Sequence, residues 1–268
     1  MRDKPLRFAT FLAPSIFPVY EFIAEYVGRR IGYETEIVVG EGFGVFAEGE
    51  ADVGFICGLP YVQLTRQDPS PVEVLAAPVL QGARYGGRPV YYSDVIVRQD
   101  SPFQRFEDLR GRSWAYNDRD SQSGYNVTRY QLACMGELGA SDYFGEIVAA
   151  GWHQEAIRLV REGSVDASAI DSQVLAVALR DEPGLAEQIR VIDAFGPSTI
   201  QPVVVARHLP DGLKADLQAA LLGMSSNAEA RARLAHGLVE RVVAMTDDTY
   251  DDIRAMLGAV ERSNLADW

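Results

Sequence analysis

Cysteine is close to absent. Cys57 and Cys134 are the only two in 268 residues, too few and too far apart for a disulfide framework, and neither stands at metal-ligand spacing from the other or from His153, His208 or His236. No metal site is expected. Cofactor and catalytic signatures are missing as well: there is no G-x-x-x-x-G-K-[ST], no G-x-G-x-x-G after the first strand, no G-x-S-x-G, no H-E-x-x-H and no C-x-x-C. No cofactor is expected on these grounds. Positive charge is scarce, with 25 Lys and Arg against 38 Asp and Glu, a net charge of −13 and a pI near 4.7. Such a surface repels nucleic acid and anionic membranes, so any anion it binds must be held by local donors. Long apolar runs are lacking too, none approaching the ~20 residues that cross a bilayer. The opening MRDKPLRFATFLAP has no cationic start, apolar segment and small-residue cleavage site. The chain therefore reads as cytoplasmic if complete, or as periplasmic or membrane-associated on the outer side if a signal was trimmed.

What is present suits a soluble α/β protein. Hydrophobic residues make up 47% of the chain, enough for one large or two small cores. LRFATFLA (6–13) is β-rich and stops at Pro14-Ser15; beyond it Phe22, Ile23, Tyr26, Val27 and Ile31 mark one face of a helix. YETEIVVG and ADVGFICG read as the next strands, the second entering a helix near Pro60-Tyr61. This early alternation predicts mainly parallel sheets covered by helices. VEVLAAPVL, PVYYSDVIVR, RSWAYND, FGEIVAAG and VDASAID continue as strands, HQEAIRLVREG as a helix, and residues after 210 read as mostly helical. In the helix behind Gly124, Val127, Tyr130, Cys134 and Leu138 are expected on the buried side.

An internal repeat organises the chain. Glu48-Gly49-Glu50-Ala51-Asp52-Val53-Gly54-Phe55-Ile56-Cys57-Gly58 aligns with Glu162-Gly163-Ser164-Val165-Asp166-Ala167-Ser168-Ala169-Ile170-Asp171-Ser172, 114 residues later. Each copy reads as a helix end, a glycine cap, a buried strand and a small or polar residue where the strand finishes. Two doubly wound lobes follow, one from 1–97 plus 200–268 and the other from 98–199, joined by two hinge strands. Ligands of open α/β sheets sit beyond the carboxyl ends of strands, so the expected site is a cleft between lobes that closes by hinge motion.

Candidate site residues fall at those strand ends. In DSQSGYN, Asp120, Ser121 and Ser123 are good N-cap residues, Gly124 permits close approach, and the following helix brings partial positive charge. The stretch reads either as an ordinary cap or as a seat for a tetrahedral oxyanion. His153 stands where a strand hands over to a helix, and Asp171 and Ser172 hold the equivalent place in the second repeat. Cys57, Gly58, Pro60 and Tyr61 are their counterparts in the first, with Cys57 better read as a small buried hydrophobe than as a reactive thiol. Of Phe17, Tyr20, Tyr91 and Tyr92, one or two are expected to line a ligand site and the rest to be core.

ADVGFICGLPYV, PVYYSDVIVRQDSPFQRFEDLRGRSWAYNDRDSQSGYN, GWHQEAIRLVREGSVDASAIDS and STIQPVVVARHLP, taken in order, resemble the phosphonate- and phosphite-binding group of type II periplasmic binding proteins. The resemblance implies a two-lobed solute-binding protein, monomeric and not an enzyme, that delivers a small oxyanion to the membrane subunits of an ABC importer. It implies that Ser121, Gln122, Ser123 and His153 hold the head group, with Tyr61, Tyr91 and Tyr92 walling it; Gly124, Tyr125, Cys57, Asp171, Ser172 and Gln201 complete the candidate ligand-binding set. Two departures stand out. The family's Ser-Thr-Ser reads Ser-Gln-Ser here, and the acids that meet an amine in aminophosphonate binders read Gln173 and Gln201, which favours a neutral-tailed or tail-less anion. Cytosolic members of the same broad fold offer an alternative, a lyase-type enzyme of menaquinone- or thiamine-pathway kind with His153 as general base.

Overall fold

The computed structural model describes residues 4–136 and 139–263. In chain order the elements are β1 (Leu6–Thr10), α1 (Phe17–Ile31), β2 (Thr35–Val39), β3 (Val53–Phe55), α2 (Gly58–Leu64), β4 (Val72–Leu80), β5 (Val90–Arg98) and β6 (Ser113–Tyr116). A π turn (Gln122–Asn126) leads into α3 (Val127–Cys134), followed by α4 (Ala140–Tyr143), β7 (Glu146–Ala149), α5 (His153–Glu162), β8 (Ala167–Asp171), α6 (Ser172–Asp181) and β9 (Ile189–Thr199). The chain ends through β10 (Val203–Ala206), α7 (Asp211–Gly223), α8 (Ala228–Leu234), β11 (Val239–Ala244) and α9 (Asp251–Arg262). It divides into two compact units, 1–90 with 199–251 and 91–198 with 252–268. Residues 91–97 and 252–268, which the sequence reading places with the first lobe, group here with the second unit.

The first unit holds a six-stranded sheet in the order β11-β4-β10-β3-β1-β2, and the second a five-stranded sheet in the order β7-β6-β8-β5-β9. β1 runs parallel to β2 and β3, and β6 parallel to β7 and β8. The expectation of mainly parallel sheets needs correction, because β10 is antiparallel to β3 and β4, and β5 to β8. These are the return strands of the chain, and a return has no crossover helix to restore its direction. After residue 210 the described chain is mostly helical, as expected, with one strand added: β11 pairs antiparallel with β4. Val239, Val242 and Val243 give VERVVA a β-branched pattern that the surrounding helix formers mask in the sequence.

The repeat has a structural counterpart in each unit. Gly49 and Gly163 both adopt positive φ, 70° and 74°, the left-handed turn that glycine takes without a Cβ penalty. Gly163 caps α5, whereas the segment before Gly49 is a 3-10 turn, Phe43–Phe46, and not the expected α-helix end. Asp52 accepts the Arg7 backbone N–H at 2.9 Å, and Asp166 accepts the Ser113 backbone N–H at the same distance. One aspartate per unit thus pins the start of the neighbouring parallel strand, β1 or β6. The second unit's core is aromatic: Trp114 stacks on Phe144 at 4.8 Å between centroids, and Phe106 on Tyr143 at 5.3 Å.

Candidate functional site

Parallel pairing of β6 with β7 sets Tyr116 beside Ala149, so the loops leaving the two strands start side by side. From the first loop the chain enters the π turn through Ser121. Its backbone is extended, its hydroxyl accepts the Gly124 N–H at 3.0 Å, and its carbonyl accepts the Asn126 N–H at 3.0 Å. That last bond spans five residues, which is what widens the first turn. From the second loop α5 begins at His153, and its Nε2 lies 3.1 Å from the Ser123 hydroxyl. The Ser121 and Ser123 hydroxyl oxygens are 3.5 Å apart. Two hydroxyls, an imidazole and the backbone donors of a helix start are gathered in one place.

The glycine in the turn is there for its neighbours. A Cβ on Gly124 would stand 1.9 Å from Asn117 Oδ1 and 3.1 Å from His153 Cε1, so any side chain would drive both groups off the turn. Asn117, half-buried just past β6, lies in RSWAYND, which reads in the sequence simply as a strand. Its Oδ1 is buried without a hydrogen-bond partner among the described residues. Trp152, immediately before His153, is 41% exposed.

Electrostatically the cradle is a site of neutral donors. His153 is only 6% exposed, and burial pushes its pKa from 6.5 down to about 3, so the imidazole is uncharged at neutral pH. Its Nδ1 is buried with no hydrogen-bond partner among the described residues. Asp120, in the loop ahead of Ser121, is held above the usual carboxylate range by desolvation and then by the charge of Asp118.

Other expected residues are placed differently. Gln122 lies in the turn but its side chain is fully buried: Nε2 donates to Ser198 Oγ at 3.3 Å and to Met256 Sδ at 3.2 Å, while Oε1 accepts from Asn126 Nδ2 at 2.8 Å. The amide that replaces the family's hydroxyl is therefore an inward anchor of the second unit. Asp171 is the N-cap of α6, accepting the N–H groups of Gln173 and Val174 at 2.7 and 3.3 Å. Ser172 Oγ accepts the Tyr92 backbone N–H at 3.1 Å, tying β5 to the start of α6. Tyr91 is buried and Tyr92 half-buried. Tyr125 is buried too, its ring 5.3 Å from that of Tyr116 and beneath the Arg129 guanidinium at 5.1 Å.

Tyr61, Cys57 and Gln201 belong to the first unit. Tyr61 donates from its hydroxyl to Asp247 at 2.6 Å, meets the Tyr250 ring edge-on at 4.7 Å, and borders a cavity of about 400 Å³ with Thr65, Glu73 and Arg207. Cys57 is the N-cap of α2 and partly buried, and Gln201 is buried after β9. The expected face of α3 is corrected as well: Val127, Thr128 and Leu132 are buried, Cys134 is exposed, and Leu138 lies outside the described residues. A widened first turn moves the buried stripe to 124, 128 and 132.

Comparison with known proteins adds the following. The family model for the periplasmic substrate-binding protein of phosphonate ABC transporters matches residues 12–250. A curated relative, the phosphonates-binding periplasmic protein of Escherichia coli (strain K12), is 25% identical over 152 residues, which is 55% of this chain and 44% of that protein. The chain thus spans less than half the length of that relative in the match. Among solved structures, a binding protein component of an ABC phosphonate transporter from Pseudomonas aeruginosa superposes with a TM-score of 0.85 at 20% identity, covering 98% of this chain and 88% of the other. PhnD1 from Prochlorococcus marinus (MIT 9301), in complex with methylphosphonate, superposes with a TM-score of 0.84 at 16% identity, covering 97% and 99%.

Proposed function

Because the chain belongs to the family of periplasmic substrate-binding proteins of phosphonate ABC transporters, we propose that Ser121, Ser123 and His153 hold the oxyanion head of a small phosphonate-like ligand bound for an importer's membrane subunits. The fold is the type II periplasmic-binding-protein fold, α/β with two sheets. The observation that carries the reading is the pairing of Ser123 with a neutral, buried His153 at the widened start of a helix. Such a site offers hydrogen-bond donors aimed at one point with little reorganisation on binding. Extracytoplasmic location and monomeric action belong to the same proposal.

Ligand size follows from what is already engaged. Asp171 is taken up in capping α6, and the positions expected to meet an amine are Gln173 and Gln201, so a tail-less or short neutral-tailed anion such as phosphite or methylphosphonate suits the site better than an aminophosphonate. The lyase alternative is set aside on two counts. The family is one of binding proteins, and an imidazole with a pKa of about 3 is a poor general base near neutrality.

Isothermal titration of phosphite, methylphosphonate and 2-aminoethylphosphonate tests the proposal. Ser123→Ala and His153→Ala are each expected to weaken the best of these by about 10- to 100-fold, the loss of one hydrogen bond to a charged group, with the fold retained by circular dichroism. Affinities equal to the parent's in both variants would move the site elsewhere.

A further inference from the structure

Resting on that reading of the cradle, we infer that the site takes up its oxyanion together with one proton, held between His153 Nδ1 and a ligand oxygen. A neutral imidazole has one N–H for two ring nitrogens. Its Nε2 is committed to the Ser123 hydroxyl at 3.1 Å, and Nδ1 is buried with no hydrogen-bond partner among the described residues. Cε1, the carbon between them, faces Gly124, so both nitrogens flank the turn that receives the anion.

Each neutral tautomer leaves the cradle one donor short. With the proton on Nε2, that nitrogen donates to Ser123 Oγ and frees the hydroxyl hydrogen for the ligand, but Nδ1 is a bare acceptor facing an anion. With the proton on Nδ1, that nitrogen can donate to the ligand, but the Ser123 hydrogen is drawn to Nε2 and lost to it. One additional proton removes the conflict: Nδ1 and the Ser123 hydroxyl both bond ligand oxygens, and Nε2 donates to Ser123. A doubly charged ligand gains this proton from solvent on binding. A singly charged ligand brings its own, and only N–H and O–H bonds change.

The charged groups on the surrounding elements are of both signs. The loop ahead of the cradle carries Asp118, Arg119 and Asp120, α3 carries Arg129 over the Tyr125 ring, and β8 ends at Asp171, which caps α6. On α5 itself Glu155 and Arg158 are paired with each other at 2.6 Å. Burial keeps His153 uncharged until an anion arrives.

Calorimetric titration of the full chain with methylphosphonate and with phosphite, in buffers of different ionisation enthalpy, counts the proton directly. About two pH units above the ligand's second ionisation, about one proton is expected to be taken up per ligand, with affinity falling about tenfold per pH unit. About two units below it, uptake vanishes because the free ligand already carries the proton. His153→Gln is expected to bind more weakly with uptake near zero. Binding without proton uptake at the higher pH, or full uptake persisting in His153→Gln, overturns the inference and leaves the capture reading intact. Failure of both ligands to bind at any pH removes the capture reading, and this inference with it.

Discussion

Ser123 and His153 share a hydrogen bond inside a volume from which water is largely excluded, and that exclusion has a measurable cost in acid. The folded chain holds the imidazole pKa at about 3 against 6.5, so between those values the unfolded chain binds a proton that the folded chain does not. The stability contributed by this group is complete above pH 6.5 and is lost as the pH falls toward 3, at up to about 1.4 kcal/mol per pH unit. Urea denaturation midpoints followed from pH 7 to about 4 are expected to fall less steeply in His153→Gln than in the parent. Equal slopes would mean that the histidine is solvated. At this scale the sequence marked Ser121, Ser123 and His153 as neighbours at strand ends, and the structure brings their polar atoms within 3.5 Å of one another in turn. It was a poor guide to Gln122, because which way that amide points is decided by the turn type, and five-residue turn geometry leaves no mark in DSQSGYN.

Elements show what the repeat contributes. Asp52 and Asp166 each fasten a parallel strand through a backbone N–H in its first two residues, and their alanine variants should each lose about 1–3 kcal/mol, the cost of leaving that donor unmet. With no partner shared between the two sites, the double variant should lose the sum to within about 0.5 kcal/mol, as read from denaturant unfolding; a cost in one unit only would make the repeat a coincidence of sequence. Most strands and the helices α1, α5 and α6 were legible from periodicity and punctuation. β11 was not, because its six residues sit among strong helix formers and their pairing with β4 is a long-range choice. Strand direction was not legible either: alternation of β and α reports the parallel crossovers and is silent about β5 and β10, which return without one.

At the scale of the whole molecule, an acidic protein with a charge of −13 is expected to take up an anion against its own field. Screening should therefore speed capture: the association rate of a doubly charged ligand is expected to rise several-fold between about 0.01 and 0.15 M ionic strength, where the Debye length shortens from about 30 to 8 Å. Stopped-flow emission from the exposed Trp152 would report it, and a rate that fell with salt would reveal a local positive potential. The order of strands carries a different consequence. β10 lies between β3 and β4 and pairs with both, so on the ribosome the N-terminal ninety residues of the first unit emerge with a gap in their sheet that stays open until residue 206 appears. The second unit's five strands come from a single stretch ending at 199, so it is the unit that can fold first during synthesis. Its last piece is α9, which brings Met256 to the Gln122 amide, so the anchoring behind the Ser121–Ser123 turn waits until residue 256 has emerged.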